Sequence, residues 1–412
     1  MEPPAPTVRV VSRTWARDSH DLFDFEARHL QVKSFEGLTG PAQLIRAGTE
    51  VQVARSGRQL AADSGAEALL RLHRRDGAFW VDKASTAASS AKKPWFVVRD
   101  LADRSHRLSV GDIIKLGRFK FRVRQAVAAR EADGDDVQPE LRLDDWGNTS
   151  DGVCLPCQDE ELRDPMAVCR ICLLEGAAED DPFLIRPCLC KGSIEHVHLG
   201  CLRHWVKGRM NLSDAGGSYF YRPLPCELCK SPYPAFVQTG RERVPLLEMP
   251  RTEPPFIVLE NLVRDSHQHL SRGLHVMSLA DKMVKLGRGH ESDVRIADVS
   301  ISRCHSTIRF HQGDFILEDN NSKFGTLVAM RRPQLLDPST SLSIQVGRTV
   351  LSVTVQEVGP EGGGSNVTHV ATREPPPGIS AIDRQTLTAL GLEMPLFTRE
   401  GGASRLPGDP RP

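Results

Sequence analysis

The sequence contains no run of about 20 apolar residues, the length a helix needs to cross a bilayer, so no transmembrane span is expected. It has no net charge either: 53 Lys and Arg balance 53 Asp and Glu. That balance argues against a broad electrostatic grip on nucleic acid or on an anionic membrane. The opening Met1-Glu-Pro-Pro-Ala-Pro6 lacks the basic and apolar regions of an export leader. Cysteine is scarce outside one stretch, which holds seven of the ten. Paired thiols in a chain without an export signal read as metal ligands rather than disulfides. A soluble protein of the reducing cytoplasm and/or nucleus is therefore expected.

A length of 412 residues suggests two to four domains, and 28 prolines and 33 glycines supply linkers and turns. Residues 1–29 read as a flexible N-terminus. From Leu30 to about residue 127 short apolar runs alternate with polar residues, as in Leu30-Gln-Val-Lys-Ser-Phe35 and Phe119-Lys-Phe-Arg-Val123. Period-two alternation of this kind predicts half-buried strands. Residues 128–165 form an acidic linker, with Glu131-Ala-Asp-Gly-Asp-Asp136 near its start. Its Cys154 and Cys157 have two readings, spare thiols or a further metal site. Residues 256–358 return to strands and turns. Residues 359–412, rich in Gly and Pro, read as a disordered tail.

The cysteine-rich stretch carries the chemistry. Cys169, Cys172, Cys188, Cys190, His198, Cys201, Cys226 and Cys229 are separated by 2, 15, 1, 7, 2, 24 and 2 residues. Thiolate and imidazole suit Zn²⁺, which takes four ligands per tetrahedral site, so eight ligands imply two structural zinc ions. A PHD finger also uses seven cysteines and one histidine. It usually has a wider gap between its third and fourth ligands and an aromatic residue where this chain has Leu224.

The words around the ligands resemble the RING-CH (RING-variant) finger of ubiquitin-protein ligases. They are Cys188-Leu-Cys-Lys-Gly-Ser-Ile-Glu-His-Val-His198, Cys201-Leu-Arg-His-Trp205 and Cys226-Glu-Leu-Cys-Lys230. The resemblance covers residues 166–235 and implies a cross-brace. Cys169, Cys172, His198 and Cys201 would hold one zinc, and Cys188, Cys190, Cys226 and Cys229 the other. His196, two residues before His198, is a competing ligand that the family register disfavours. The resemblance also implies partners, a ubiquitin-conjugating enzyme and ubiquitin. Ile171, Trp205 and Pro225 would form the docking groove, and Lys230 would bridge ubiquitin and conjugating enzyme. A buried structural role for Ile171 and Trp205 is compatible with this.

In the second β region, Leu286-Gly-Arg-Gly-His-Glu-Ser-Asp293, Ser300-Ile-Ser-Arg-Cys-His305 and Asn320-Asn-Ser-Lys-Phe-Gly-Thr326 resemble a forkhead-associated (FHA) domain. The family fold is a β-sandwich whose loops bind phosphothreonine peptides. By this resemblance Arg288, Ser302, Arg303, Asn321 and Lys323 would contact a phosphopeptide. Gly287, His305 and Gly325 would shape the loops. Phe324 replaces the family's usual Asn, which holds the peptide backbone, so an FHA scaffold without phosphate binding is the other reading.

Three words recur in order in the two β regions. Val51-Gln-Val-Ala-Arg55 matches Val284-Lys-Leu-Gly-Arg288, Gly77-Ala-Phe-Trp-Val81 matches Gly313-Asp-Phe-Ile-Leu317, and Ile114-Lys-Leu-Gly-Arg118 matches Ile344-Gln-Val-Gly-Arg348. Residues 30–127 are therefore expected to be a degenerate FHA-like module without the phosphate loop, since Ser64-Gly-Ala-Glu67 stands where Ser-x-x-His should be; a β-sandwich that merely shares common turn words is the other reading. The expected fold class is multidomain and mainly β: two FHA-type sandwiches flanking a small α+β cross-brace zinc finger. The layout resembles proteins of single-celled eukaryotes that join a RING-CH finger to an FHA domain. It implies a ubiquitin ligase that recruits phosphothreonine-containing proteins; the zero net charge and the cross-brace spacing argue against a nucleic-acid partner. The alternative is a zinc-stabilised, phosphopeptide-binding scaffold without enzymatic activity.

Overall fold

The structure, a computed structural model, describes residues 6–17, 21–55, 66–84, 92–129, 167–175, 184–210, 218–239, 242–246, 252–262 and 273–356, apart from single positions within them. The acidic linker from residue 130 on, with Cys154 and Cys157, and the C-terminal tail fall outside the described residues.

The protein is mainly β, and its strands do not pair in the order the sequence suggests. Among the described residues one antiparallel sheet of eleven strands joins the two β regions. At its centre Pro94–Val97 pairs with Thr326–Ala329, with Phe96 opposite Val328. On one side of this pair lies the hairpin Ile113–Leu116/Phe119–Val127, which continues onto Phe256–Asn261 and Leu274–Ser278. On the other side lies the hairpin Ser341–Val346/Thr349–Gln356, which continues onto Thr7–Trp15 and Leu30–Leu38.

Each repeat has therefore given its last hairpin to the other. The hairpin that ends the first repeat completes the sandwich of the second, and the reverse holds. The two opposing sheets follow the same rule. Ser105–Arg107 pairs with Asp314–Asp319 of the second repeat, and Gln334–Leu335 pairs with Ala78–Lys83 of the first. The cores show it in side chains. Ile114, Leu116, Phe121 and Val123 are buried with Ile257, Leu286, Ile308 and Leu317. Ile344, Val346, Leu351 and Val353 are buried with Val8, Leu44, Leu70 and Val81.

The exchange is sterically possible because both hairpins carry the same inward pattern. Ile114-Lys-Leu-Gly-Arg and Ile344-Gln-Val-Gly-Arg each alternate core and outer residues and turn at a glycine with positive φ, 51° at Gly117 and 59° at Gly347. The Gly77 and Gly313 words likewise occupy equivalent turns, at φ 79° and 88°. The third match does not hold in space. Val284–Gly287 lies second from its sheet edge, whereas Glu50–Arg55, which carries the Val51 word, is itself an edge strand. Ala42–Ala47 takes the equivalent place, because a tight turn at Gly48 folds residues 50–55 back outside it.

The first 29 residues also differ from expectation. Thr7–Trp15 is an inner strand between Thr349–Gln356 and Leu30–Leu38. Val8 and Val10 are fully buried, so alternation here has the same physical origin as elsewhere. Beyond this strand Phe23 is fully buried with Trp95, Val97, Leu327, Ala329 and Val350, covering the outer face of the central strand pair.

The zinc region is mounted on this sheet. Tyr219–Tyr221 adds to Leu274–Ser278 as an edge strand. Ile185, Val197, Leu202 and Val206 share a core with Phe256, Val258 and Val276.

Exchange makes the two sandwiches mutually dependent, so Ile114→Ala and Ile344→Ala are expected to perturb one unfolding transition. Both side chains are fully buried, and each truncation should cost about 2–5 kcal/mol. Urea unfolding followed by far-ultraviolet circular dichroism checks this. Two separate β transitions, each moved by one variant only, would contradict it.

Candidate functional site

The eight zinc-type ligands gather into two tetrads. Cys169, Cys172, His198 and Cys201 form one, and Cys188, Cys190, Cys226 and Cys229 the other, with the ligand atoms of each within 4.8 Å of one another. Thiolates about 2.3 Å from a zinc ion at the centre of a tetrahedron lie about 3.8 Å apart. Cys190 Sγ and Cys226 Sγ are 3.7 Å apart. In the other tetrad His198 Nδ1 lies 3.3 Å from Cys172 Sγ and 3.9 Å from Cys201 Sγ, so Nδ1 is the nitrogen that faces the metal position. His196 lies outside both tetrads, its Nε2 accepting from Arg186 Nε at 3.2 Å.

Local structure explains the arrangement. Leu173 and Lys230 each take a left-handed conformation just past a Cys-x-x-Cys pair, at φ 62° and 63°. Their amides donate back to Cys169 O and Cys226 O, which closes the knuckles. The short strands Leu184–Ile185 and Val197–His198 pair to present His198, and the helix Leu199–Met210 carries Cys201 in its first turn.

The thiols differ sharply in acidity. For Cys169, Cys190, Cys201 and Cys229 burial is the largest influence and opposes ionisation. It pushes Cys190 up to about 12, aided by Cys188, Cys226 and Cys229, and Cys201 up to about 12, aided by Cys172 and Cys169. Against burial, the Ser231 hydroxyl and amide hold Cys229 down to about 6, and the amides of Cys172, His198 and Ile171 hold Cys169 down to about 7. A set of buried thiols that cannot all ionise unaided is what a divalent cation completes. The two sets fit two structural zinc ions, whose contribution is folding energy.

Arg170 was not singled out by the sequence. It sits inside the first knuckle, yet its guanidinium reaches the second tetrad. Nη1 lies 3.5 Å from Cys188 Sγ and 2.8 Å from Ile194 O, and Nη2 lies 3.7 Å from Cys226 Sγ and 3.2 Å from the Tyr233 hydroxyl. Despite burial, the Cys188 thiolate raises its pKa. It ties the two zinc loops together and offsets the negative charge of a four-thiolate site. A lone Arg between two ligands gives no sequence signal for this.

Ile171 is 41% exposed, and Leu173, Leu189 and Leu228, each within or next to a ligand pair, are 74%, 69% and 58% exposed. Pro225 and Trp205 are half-buried. Trp205 meets Tyr233 edge-on at 6.1 Å and carries the Arg209 guanidinium 5.4 Å from its ring centre. Lys230 is exposed and donates to Glu227 O at 2.7 Å.

The second site is formed by the loops before and after Ser306–His311 and Asp314–Asp319. Arg288 follows the strand Val284–Gly287. Its amide donates to Ser302 O at 3.0 Å and its Nε to Ile301 O at 3.2 Å. Arg288 and Arg303 are exposed, and neither pairs with a carboxylate of any described residue. Ser302 Oγ accepts from the Lys323 amide at 3.1 Å, which brings Ser302 and Lys323 together and leaves the hydroxyl hydrogen to donate.

His305 ties these loops from inside. Its Nδ1 accepts from the Ser302 amide at 3.1 Å and its Nε2 donates to Gly325 O at 3.2 Å. Burial lowers its pKa, which suits this neutral tautomer. Gly287 and Gly325 are required by space. A Cβ on Gly287 would lie 2.0 Å from Arg303 O, and one on Gly325, at φ 73°, would lie 2.6 Å from the Phe25 ring. Asn321 is exposed at φ 52°. Phe324 lies 6.3 Å from Trp15, centre to centre.

A paired-tetrad finger joined to a β-sandwich with an Arg288, Ser302 and His305 loop set defines the class. Comparison with known proteins agrees: a RING-variant domain matches residues 169–229 and an FHA domain matches residues 284–350. The chain is 23% identical over 251 residues to the E3 ubiquitin-protein ligase MARCHF7 of Pongo abelii, covering 54% of this chain and 32% of that protein. It is 35% identical over 113 residues to the probable E3 ubiquitin ligase SUD1 of Arabidopsis thaliana, covering 27% and 9%. It is 43% identical over 63 residues to the E3 ubiquitin-protein ligase MARCHF8 of Xenopus tropicalis, covering 15% and 19%. The chain thus spans only part of the length of these relatives. It carries a RING-variant domain and an FHA domain and is a distant homologue of the MARCH-family E3 ubiquitin ligases. No helix among the described residues is long and apolar enough to cross a membrane.

Proposed function

We propose that the chain is a RING-CH ubiquitin-protein ligase that recruits phosphothreonine-containing substrates through its FHA loops. The observation that carries the ligase half is the set of apolar side chains left exposed at both zinc sites, Ile171 and Leu173 at the first, Leu189 and Leu228 beside ligands of the second. Exposed aliphatic side chains clustered in so small a region suit a protein partner, and the homologues indicate a ubiquitin-charged conjugating enzyme. Trp205 and Pro225 complete the groove.

The chemistry is aminolysis. A substrate lysine attacks the thioester carbon of charged conjugating enzyme, and the enzyme's cysteine leaves as thiolate. No residue of this chain becomes acylated. The finger acts by holding the reactants in a productive arrangement. Lys230, released from Glu227 O, is the cation placed to hydrogen-bond ubiquitin and conjugating enzyme together. The recruitment half is supported by Arg288 and Arg303, both exposed, on the loops that carry the Ser302 hydroxyl, a donor set suited to a phosphate dianion.

In vitro ubiquitination with a panel of conjugating enzymes tests the ligase half. Wild type is expected to form ubiquitin chains, and Ile171→Ala and Trp205→Ala to lower the rate at least ~30-fold, as for a docking hot spot of about 2 kcal/mol. No zinc-dependent product with any conjugating enzyme would leave the non-enzymatic scaffold.

A further inference from the structure

Both loops of the candidate phosphopeptide site rest on residues from the first repeat. The loop Asp298–Arg303 is backed by the exchanged hairpin turn. Gly117 approaches so closely that a Cβ there would lie 2.4 Å from Ser300 Oγ. The Arg118 amide donates to that oxygen at 3.1 Å, and Arg118 Nε lies 3.7 Å from Asp298.

The loop Asp319–Thr326 is held more tightly. The Asp319 carboxylate accepts from the Ser322 amide and hydroxyl at 3.2 and 2.5 Å, and from the Thr326 amide and hydroxyl at 2.9 and 2.6 Å. Its side chain is fully buried, and its cation is Arg99, 2.6 Å away. Arg99 also donates to Ser322 O, and its guanidinium lies 4.5 Å from the Phe25 ring centre. The Phe25 amide donates to Lys323 O at 3.0 Å, and Asp24 lies 3.5 Å from the Lys323 ammonium.

We propose that the phosphopeptide receptor is a composite of both repeats and that Arg99 of the first repeat is its positioning residue. The inference rests on the phosphothreonine reading given above. Five donors and one buried carboxylate fix the shape of residues 319–326, and a buried carboxylate deprived of its cation is strongly disfavoured. Loss of Arg99 releases that loop, so Asn321, Lys323 and Phe324 lose their fixed places while Arg288 and Arg303 keep theirs. The first repeat lacks the phosphate-loop words yet is required for the phosphate site. Its role is to build the wall of a site it does not itself carry.

The test uses the full chain and a peptide library with one fixed phosphothreonine and randomised flanks. A retained sequence, made as a fluorescent peptide, then reports affinity by anisotropy. Arg99→Gln is expected to weaken binding about tenfold and to speed hydrogen exchange at residues 319–326. Arg99→Lys, which keeps the cation, is expected to restore most of the affinity. Equal affinity and equal exchange in wild type and Arg99→Gln would overturn the proposal. Failure of wild type to retain any phosphothreonine peptide would sink the recruitment reading instead, and the exchange measurement would still decide the role of Arg99.

Should Arg99→Gln not fold, a protease site inserted between Asp144 and Asp145 of the full chain gives a second test. After cleavage the two parts are expected to remain together on gel filtration and to bind the peptide. Parts that separate, with residues 145–412 still binding, would refute a composite receptor.

Discussion

Dialysis of the full chain against a strong zinc chelator is expected to release two zinc ions per molecule and to unfold the finger while the β-sandwiches keep their far-ultraviolet signal. The finger's own apolar core is small and is centred on Ile185, Val197, Leu202 and Val206. Zinc in structural finger sites is worth roughly 10–16 kcal/mol, more than such a core can replace. The sandwich cores contain no ligand residue, so they should survive. Zinc released to a colorimetric indicator gives the stoichiometry, and the near-ultraviolet signal of Trp205 and Tyr233 reports the finger. Cys188→Ser is expected to remove the second site and, through Arg170, to loosen the first. A stoichiometry of one, or an unchanged aromatic signal after stripping, would count against two structural sites.

Arg288→Ala should abolish phosphothreonine-dependent binding. The Arg288 backbone and Nε are fixed by Ser302 O and Ile301 O, so the guanidinium is preorganised and little entropy is lost when it meets phosphate. A charge-assisted interaction of this kind is worth about 3 kcal/mol, or ~100-fold in affinity. Anisotropy with a phosphothreonine peptide and its unphosphorylated twin measures the loss. Arg303→Ala, whose backbone carbonyl rather than guanidinium is tied into the loop through Gly289 N and Ser292 Oγ, should lose less. Binding that survives Arg288→Ala, or that ignores the phosphate, would remove the recruitment half of the model.

The metal ligands were legible because zinc imposes ligand type, number and close pairing on the sequence itself. All eight meet in the expected two sets. The FHA loops were legible for a similar reason: Gly287 and Gly325 stand where no side chain fits, and His305 satisfies two backbone groups that would otherwise be buried without partners. The repeat was visible in the Gly77 and Gly313 turns and in the Ile114 and Ile344 hairpins. The Val51 word misled, because an apolar-polar alternation ending in Arg fits an edge strand as well as an inner one. Thr7–Trp15 is a buried strand where a flexible N-terminus is expected, although its alternation is present in the sequence.

Arg170, Arg99 and the aromatic contact between Trp15 and Phe324 had no sequence signal at all. Each joins residues far apart in the chain, and nothing about one partner specifies the other. Phe324 shows the consequence. In the sequence it is a departure from the FHA pattern at the peptide-contact position, whereas in the structure it packs beside the first repeat's N-terminal strand.

Two zinc sites of fixed ligand composition, the residue words of the FHA loops in the second repeat and the alternation of the strands are readable before any fold is known, because each depends on residue type and local spacing. Which repeat each hairpin completes is fixed by the fold alone. Ile114–Arg118 and Ile344–Arg348 present equivalent inward faces, so local preference does not discriminate between pairing within a repeat and pairing across them. Contacts distant in sequence settle it: the Pro94–Val97/Thr326–Ala329 pair, Phe23 over that pair, and Arg99 on the buried Asp319.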